Sequence, residues 1–504
     1  MRTQIVAGIL GKMLCAFSLV MILPLFYAIA LQETVYISFI IGMSITGVIG
    51  LLLVYYGETT GHIGAREGFL IVSGIWFLTS ALGALPYWLS GVVPSYLDAV
   101  FETVSGLTTT GASVITDVEV LPGSILLWRS LTHWLGGMGI IVLFLVFLTN
   151  LGADAVNLFK AESPGPTVDR IMPRIRHMAI TLWSLYVMFT AIEIILLYLA
   201  GMTLFDAINH SFATMATGGF STKNASIKYY DSLTIEIIVC FFMFFSGGNF
   251  GLYYLVWKKG YRRLLQDTEF KLYFGIVGVS AITIALFLYY QSAIPFLSGL
   301  REALFTVVSI MTTTGFVTAD FDQWPPAAKM ILFILMLIGG CAGSTAGGIK
   351  VIRIIILMKD AVGSLLRAIH PKIVRTVKVD GKPIDFSVLY AILQFFFIYI
   401  FIFFISVLLV SATGMPPFDA MSAVITTLSN IGPGFGVVGP TTTFFEVHPF
   451  AKLVLIIDML LGRLELFTVL VLLHPEFWQP YMLRKKILPS LRTLGKPSNS
   501  LSKC

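Results

Sequence analysis

Charged residues are scarce in this chain: they make up 12% of its 504 residues, against 57% for hydrophobic residues. The mean hydropathy is +0.88, far above that of a soluble globular protein of ordinary composition. No polar stretch is long enough to form a soluble domain of useful size. The scarcity of charge therefore excludes a soluble globular protein and indicates an integral membrane protein.

Cysteine is also rare, with four residues in the whole chain and no CxxC pair. Neither a disulfide framework nor a zinc site is indicated, so we expect the cysteines to be packing residues. The sequence also lacks HExxH, GxSxG and clustered His/Cys motifs, which argues against an intramembrane enzyme. We predict no catalytic residues and no cofactor-binding site.

Basic residues give the chain a net charge of +6, but they lie in short loops between apolar runs. Such a distribution sets the orientation of membrane helices, so it does not predict nucleic-acid binding. The basic segment 258–263 could in addition hold anionic lipid or a cytosolic partner. The loops on the opposite side are mainly acidic, which identifies them as the outer loops.

Apolar runs of about 20 residues, long enough to span the hydrocarbon core as helices, recur along the whole chain. We therefore predict an all-α polytopic membrane protein. The first run ends in Ala28-Ile29-Ala30, which resembles a signal-peptide cleavage site. Because this run is too long for a signal peptide and another spanning run follows at once, we expect a retained helix. Cleavage is the alternative.

Four short stretches of the chain resemble one another. In each, the final glycine lies thirteen residues after an acidic residue that is followed by alanine. The stretches are Thr108–Gly111, Ala216–Gly219, Thr312–Gly315 and Ser429–Gly432, and the acids are Asp98, Asp206, Glu302 and Asp419. Their recurrence at about a hundred residues indicates tandem duplication. We predict four tandem M1-P-M2 repeats around one pore, each with a spanning run, a half-membrane run ending in the stretch, and a second spanning run.

The repeats divide the chain into six segments. An extra pair of transmembrane helices occupies 1–57, the four repeats occupy 58–150, 151–263, 264–358 and 359–480, and a cytoplasmic tail occupies 481–504. The second spanning runs are predicted at 124–149, 232–257, 327–357 and 449–473.

Each half-membrane run has about ten helical residues, or about 15 Å, which is half the thickness of a bilayer. It must enter the membrane and return, and non-helical backbone at that depth needs protein or a water-filled cavity around it. We expect each acid at the start of its helix, Asp as the N-cap and Glu in the first turn. The partial negative charge at the other helix end would then favour a cation at the centre.

Threonine and glycine at the return suit a cation filter. Glycine lets carbonyl oxygens turn toward an axis without a side chain that closes the pore. Rings of carbonyls can replace the hydration shell of a monovalent cation. A single such stretch would be a turn that ends a helix, but four in register predict a pore. One ring is predicted from the carbonyls of Gly111, Gly219, Gly315 and Gly432, and a neighbouring ring from those of Thr110, Gly218, Thr314 and Ile431.

The motifs TTTGAS, ATGGFST, TTTGFVT and SNIGPGFG, on four such repeats after an extra helix pair, resemble the membrane subunits of bacterial Trk potassium-uptake systems (TrkH/TrkG-like). The resemblance covers essentially the whole chain. It implies uptake of K⁺, as the transported ion, across the bacterial inner membrane. In that family a glycine at the first filter position, here Gly111, accompanies potassium preference. The fourth stretch departs most, because Asn430-Ile431 replace a threonine pair and Pro433 follows the glycine.

The resemblance also implies partners. Trk membrane subunits form homodimers and bind a cytosolic nucleotide-binding regulator (TrkA-like), in addition to their contact with membrane lipid. The sequence does not identify the dimer interface or the nucleotide. No nucleic-acid partner is expected.

A segment without large side chains, 339–348, lies in the third repeat. Its glycines at spacing four could form a close-packed GxxxG helix face. Alternatively, the helix could break into a loop inside a water-lined cavity. The resemblance favours the loop, because this segment is the intramembrane gate of Trk-like proteins. The gate residues it implies are Gly343, Ser344, Thr345, Gly347 and Gly348.

Charged residues also occur inside apolar runs, where they normally face protein or water. In the fourth repeat, Asp458 and Glu465 are seven residues apart, so we expect a shared helix face and interhelical salt bridges. For Arg463 the resemblance implies a pore-lining cation beneath the filter, as part of the gate. In the first repeat, Arg129 and His133 could line water or form a structural pair.

Glycine pairs occur at the corresponding places of the first three repeats. The pairs Gly136-Gly137 and Gly247-Gly248 correspond to the start of the glycine-rich segment of the third repeat. We expect both pairs to mark helix bends or close crossings of helices.

An alternative function is secondary transport, in which K⁺ moves with H⁺ or Na⁺ along the same pathway. Such transporters normally show inverted repeats and paired acids at the membrane midplane. The repeats of this chain all run in the same direction, which favours the channel-like interpretation. The sequence does not decide whether flux is coupled.

Overall fold

The structure is a computed structural model that describes residues 2–58, 63–139, 175–371 and 376–479. Helices make up most of these ranges. The extra pair of spans consists of α1 (Thr3–Val20) with α2 (Ile22–Ala30), which form one span, and of α3 (Tyr36–Tyr56), which forms the other. Helices α1 and α3 cross closely, because a Cβ on Gly11 would lie 2.6 Å from the carbonyl oxygen of Gly50.

In each of the four segments predicted as repeats, a long helix precedes a shorter one, and further helices follow. The first contains α4 (Ala65–Gly83), α5 (Leu85–Leu89), α6 (Tyr96–Leu107) and α7 (Gly123–Gly137). The second contains α8 (Ile175–Leu199), α9 (Leu204–Met215), α10 (Leu233–Ser246), α11 (Phe250–Lys259) and α12 (Arg262–Gln266). The third contains α13 (Thr268–Ser292), α14 (Phe296–Met311), α15 (Pro326–Ile338) and the start of α16 (Val351–Ile369), which crosses the predicted boundary at 358. The fourth contains α17 (Phe386–Ser411), α18 (Pro417–Leu428), α19 (Pro449–Arg463), α20 (Phe467–Leu473) and α21 (Pro475–Trp478).

A short β-hairpin precedes α17 and departs from the all-α prediction. Strands β1 (Lys378–Val379) and β2 (Lys382–Pro383) pair in antiparallel register. Asp380 and Gly381 connect them with φ of 49° and 76°. Two residues with positive φ form the type I′ turn that suits the twist of a hairpin, and Asp-Gly is a preferred pair there.

Membrane-spanning helices are present, as the composition predicts. Six helices or helix pairs in the described ranges are long and apolar enough to cross a membrane, namely Thr3–Ala30, Tyr36–Tyr56, Ala65–Leu89, Ala179–Leu199, Thr268–Ser292 and Phe386–Ser411. Most of them bury only a minor part of their surface, so apolar side chains face outward toward lipid.

Three of the four predicted second spanning runs are interrupted in the structure, two of them at glycines where the sequence predicts a bend or a loop. Helices α10 and α11 form one apolar pair bent by 93° at Gly247-Gly248-Asn249, as the glycine pair predicts. Asn249 starts the new helix, because its Oδ1 accepts the backbone N–H groups of Gly251 and Leu252 at 2.9 and 3.2 Å. The run at 327–357 breaks between α15 and α16, and the run at 449–473 breaks between α19 and α20.

Two of the predicted segments extend beyond the described residues. Of the run predicted at 124–149, helix α7 accounts for the part up to Gly137, and 140–149 lies outside the described residues. The predicted tail at 481–504 also lies outside them.

The four short helices α6, α9, α14 and α18 form the centre of the protein. Every residue is buried in 101–110, 213–218, 305–316 and 422–432, the segments that carry their C-terminal ends and the chain that follows. The long helices surround this centre. The fold thus brings the four related stretches of sequence together in its interior.

Candidate functional site

The backbone leaves each short helix in the same way. In all four stretches the second residue has a left-handed conformation, with φ between 55° and 57°, and the final glycine has φ between 79° and 96°. The third residue donates its N–H to a carbonyl five residues earlier, as in Thr110 N to Ser105 O at 2.9 Å. This bond and the left-handed residue form the Schellman motif that ends many helices.

The four glycines and the carbonyls before them form a closed ring. A Cβ atom added to each of these glycines would lie within 3.0 Å of a carbonyl oxygen of the next repeat. That carbonyl belongs to the residue just before the final glycine of the next repeat. The contacts run Gly111 to Gly218, Gly219 to Thr314, Gly315 to Ile431, and Gly432 to Thr110. The order closes after the fourth repeat, so the eight residues predicted for the filter lie together. The ring has no room for a side chain at the glycine positions.

The acidic residues of the pattern do not cap the short helices, contrary to the expectation for the three aspartates, and Glu302 does not lie in the first turn of its helix as expected. Ser95 and Thr203 are the N-caps, and their hydroxyls accept the N–H groups of Asp98 and Asp206. Asp98, Asp206 and Asp419 are third in their helices, and Glu302 is seventh. Ser or Thr three residues before an acid is the pattern of a capping box, which the sequence displays at the first two sites.

Two of these acids hold chain segments outside the ring. Asp98 forms an ion pair with Lys452 of the fourth repeat at 2.8 Å. Asp206 Oδ1 accepts the hydroxyl of Thr222, in the chain that leaves the second stretch, at 2.6 Å.

A buried ion pair that the sequence analysis missed supports the first stretch. Glu102 Oε1 lies 2.9 Å from Arg129 Nε, and both side chains are buried. Glu102 Oε2 also accepts the N–H of Val114 at 3.0 Å. Arg129 donates to the carbonyl of Ser221 at 3.2 Å, so it connects the exits of the first and second stretches. The sequence contains one hint of this ion pair, because Glu102 stands four residues after the acid of the pattern.

The corresponding position in the second repeat has a similar role. His210, four residues after Asp206, places its Nε2 2.9 Å from the hydroxyl of Ser221. His133 binds elsewhere: its Nδ1 lies 2.7 Å from the carbonyl of Gly106, and its Nε2 accepts the N–H of Phe220. Arg129 and His133 therefore both have structural roles, but they bind different partners and do not form the expected pair with each other.

The divergent fourth stretch is held by its own contacts. Asn430 Nδ2 donates to Thr110 Oγ1 at 2.9 Å and to the carbonyl of Met459 at 3.0 Å. It thereby joins the last stretch to the first. The N–H of Phe435, in the extra loop after Pro433, donates to Ser422 Oγ at 2.6 Å.

Outside the ring, the loops that follow the first and second stretches are hydrogen-bonded to each other. Asn224 Nδ2 donates to Asp117 Oδ1 at 2.7 Å, and Asn224 Oδ1 accepts the N–H of Val118 at 2.8 Å. The hydrogen bond from Asn224 lowers the pKa of Asp117 and so favours its charged form.

The glycine-rich segment is a loop, so a continuous GxxxG helix face is wrong. Residues 339–350 are not helical, and Gly339, Gly343 and Gly348 have φ between 73° and 77°. The loop lies against the ends of the short helices. Gly347 donates its N–H to Thr313 Oγ1 at 2.7 Å, and Thr345 Oγ1 donates to the carbonyl of Met215 at 3.2 Å.

The bend in the second repeat receives the other side of this loop. Cys341 donates its N–H to the carbonyl of Gly247 at 2.9 Å, and Phe250 donates to the carbonyl of Gly343 at 3.1 Å. A Cβ on Gly347 would overlap the carbonyl oxygen of Ser429 in the fourth stretch. The loop therefore contacts the second, third and fourth repeats at once.

Arg463 connects this loop to the first repeat. Its Nη1 donates to the carbonyl of Thr345 at 2.7 Å, and its Nη2 donates to the carbonyls of Gly136 and Gly137, the latter at 2.6 Å. Gly136 also marks a close crossing, because a Cβ there would overlap the carbonyl of Leu107. The predicted gate residues are thus adjacent to one another and to the ring.

The two acids of the fourth repeat do not share a helix face. Helix α19 ends at Arg463, and Glu465 and Leu466 have φ of 54° and 56°. Glu465 forms a salt bridge with Arg353 of α16, but from the turn after α19 and not from a helix. The salt bridge expected for Asp458 is wrong, because its Oδ1 accepts the hydroxyl of Ser406 at 2.7 Å.

Comparisons with known proteins agree over nearly the whole chain. A family model described as TrkH, cation transport protein, matches residues 36–480. The Trk system potassium uptake protein TrkH of Escherichia coli K12 is 41% identical over 487 residues, 95% of this chain and 100% of the relative. The protein of the same name from Halomonas elongata is 40% identical over 489 residues, with the same coverage.

A solved structure is similar as well. The crystal structure of the potassium transporter TrkH from Vibrio parahaemolyticus matches with a TM-score of 0.86 and 37% identity. The match covers 95% of this chain and 100% of that one.

Proposed function

The chain belongs to the TrkH family of cation transport proteins, and on that basis we propose that it takes up potassium across the bacterial inner membrane through the ring at its centre. The family also confirms that the protein is a transporter rather than an enzyme. Its relatives are potassium uptake proteins by name. We take K⁺ as the transported substrate.

The observation that carries this proposal is the closed order of glycine and carbonyl contacts. Four carbonyls, from Thr110, Gly218, Thr314 and Ile431, lie next to glycines that leave the axis open. Such a ring can replace the water around a monovalent cation. The C-terminal ends of four short helices also lie there, and their partial negative charge favours a cation. The same geometry supports the pseudo-fourfold, channel-like arrangement of the repeats.

The loop 339–350 is, in this proposal, the gate. Its position against Thr313 and beside Ser429 puts it in the path of an ion that has passed the ring. Arg463 holds the loop to the first repeat and adds a positive charge on the same path. An ion can pass only when the loop moves away from these contacts.

Coupled symport with H⁺ or Na⁺ is a second candidate, and one observation favours it. Asp458 is buried next to Met459, which binds the fourth stretch, and its Oδ2 has no hydrogen-bond partner among the described residues. A carboxylate in that position could take up a proton. Flux measurements in liposomes separate the candidates, because a channel conducts K⁺ without a second ion.

A homodimer and a cytosolic nucleotide-binding regulator remain part of the proposal. Exposed basic residues on the side predicted to be cytoplasmic, including Lys258, Lys259 and Arg262, offer a surface for an acidic partner.

Complementation of a bacterium that lacks potassium uptake tests the filter. Gly111→Ser places a side chain against the carbonyl of Gly218, and we expect a K⁺ over Na⁺ preference about tenfold lower, a loss of about 1.4 kcal/mol. Gly91→Ser is the matched control, because Gly91 also has positive φ but has open space around it. Growth and ion preference of Gly111→Ser equal to those of Gly91→Ser would overturn the filter assignment.

A further inference from the structure

One carboxylate holds both ends of the glycine-rich loop. Glu269 lies in the first turn of α13 and is 6% exposed. Its Oε1 accepts the N–H of Ala342 at 2.8 Å and the N–H of Ile352 at 3.0 Å. Ala342 belongs to the loop, and Ile352 is the second residue of α16, the helix that follows it. Bonds from a carboxylate to backbone N–H groups are among the stronger hydrogen bonds in proteins.

The residue before Glu269 is bound to the exposed hairpin. Thr268 donates its N–H and its hydroxyl to Asp380 Oδ1, at 3.0 and 2.6 Å. Asp380 is exposed and occupies the turn between β1 and β2. The hairpin is also attached to α16, because Lys359 Nζ donates to the carbonyl of Lys378 at 2.9 Å.

The first turn of α13 connects these two sets of bonds. Asp267 caps the helix, because its Oδ1 accepts the N–H of Phe270 at 2.8 Å. Thr268 and Glu269 are therefore adjacent residues on a fixed turn, one bound to the hairpin and the other to the loop. A shift of the hairpin changes the position of the carboxylate that holds the loop.

We propose that Glu269 is a positioning residue for the gate, and that the Asp380 hairpin is the cytoplasmic element through which the gate is moved. This inference rests on the proposed function, in which the loop 339–350 obstructs the pathway. With both bonds of Glu269 in place, the loop stays against the ring. When the hairpin releases Thr268, the turn moves, the two N–H bonds weaken, and the loop is free to leave the pathway.

Potassium flux into proteoliposomes without a regulator tests the role of Glu269. Glu269→Ala removes the acceptor of both N–H groups, and we expect basal flux to rise about tenfold. Glu269→Gln is the matched variant, because its amide oxygen still accepts hydrogen bonds, and we expect flux close to wild type. The K⁺ over Na⁺ preference should not change in either variant, since neither touches the ring.

A second pair of variants tests the hairpin without disturbing the interior. Asp380→Ala removes the acceptor for Thr268, and we expect a smaller rise in basal flux, about threefold, as for a single net hydrogen bond. Lys382→Ala, on the same exposed hairpin, is the control and should leave flux unchanged. The double variant Glu269→Ala/Asp380→Ala should match Glu269→Ala alone, because both act on the same connection. Since Asp380 is exposed, this arm decides the matter if Glu269→Ala does not fold.

The outcomes separate this inference from the proposed function. Absence of K⁺-selective flux in the wild type and in every variant, Glu269→Ala included, would contradict the proposed function itself. Selective flux in the wild type, with Glu269→Ala equal to or below Glu269→Gln, would overturn the positioning role alone. Equal flux in Asp380→Ala and Lys382→Ala would overturn the role of the hairpin.

Discussion

Left-handed residues before the ring explain why the fourth stretch can differ from the others. Thr109, Thr217 and Thr313 have φ of 55° to 57°, which is unfavourable for a β-branched residue. Such strain costs about 1 to 3 kcal/mol per residue and persists where the surrounding structure holds it. Asn430 has the same φ, but asparagine adopts this conformation readily. Its amide also binds Thr110, so the departure from the threonine pattern keeps the backbone and adds a contact.

Glu102 and Arg129 are the clearest case of a structural charge pair behind the ring. Glu102→Gln leaves the buried guanidinium of Arg129 without its counter-charge, and we expect the free energy of unfolding to fall by about 3 to 5 kcal/mol. Thermal unfolding in detergent measures this loss. Asp360→Asn is the control, because the pair between Asp360 and Arg367 is partly exposed and worth about 0 to 1 kcal/mol. Similar unfolding temperatures for the two variants would contradict the structural role of the pair.

At the scale of elements, the interrupted helices give the site its shape. The break after α15 is the glycine-rich loop itself, and the breaks after α10 and α19 contact this loop. Two of them could be read from the sequence, because Gly247-Gly248 and 339–348 contain glycines. The third could not, because Leu464, Glu465 and Leu466 are ordinary helix residues. Tertiary contacts, such as the pairing of Glu465 with Arg353, set that break.

A single added methyl group tests whether the loop obstructs the pathway. Gly347→Ala would place a Cβ against the carbonyl of Ser429, so the loop must move away from the ring. We expect basal potassium flux to increase several-fold, about threefold to tenfold, with the ion preference retained. Gly278→Ala is the matched control, because it adds the same methyl group at a glycine with open space around it. Unchanged flux in Gly347→Ala would mean that the loop does not obstruct the pathway.

At the scale of the whole molecule, composition and repetition predict most of what matters. The scarcity of charge predicts the membrane helices, and the spacing from acid to glycine predicts which eight residues meet. The partners of Asp98, Glu102 and Asp206 could not be predicted, because they lie in segments far away along the chain or in loops without periodicity. The hairpin around Asp380 escaped notice because strands of two residues carry no pattern, although its Asp-Gly turn was visible.

The first and last repeats close the ring, and this closure is a property of the complete chain. Lys452 binds Asp98, Asn430 binds Thr110, and Arg463 binds the carbonyl groups of Gly136 and Gly137. Each contact joins the fourth repeat to the first. One stretch supplies a quarter of the ring, so no repeat could coordinate a dehydrated cation by itself.

Crystallography with Rb⁺ in place of K⁺ tests the central claim most directly, because anomalous scattering locates the ion without reference to flux. The proposed filter predicts a peak on the axis between the carbonyl oxygens of Thr110, Gly218, Thr314 and Ile431, and a weaker or absent peak in Gly111→Ser. A peak outside this ring, or a ring without Rb⁺ in a crystal of transport-competent protein, would contradict the account.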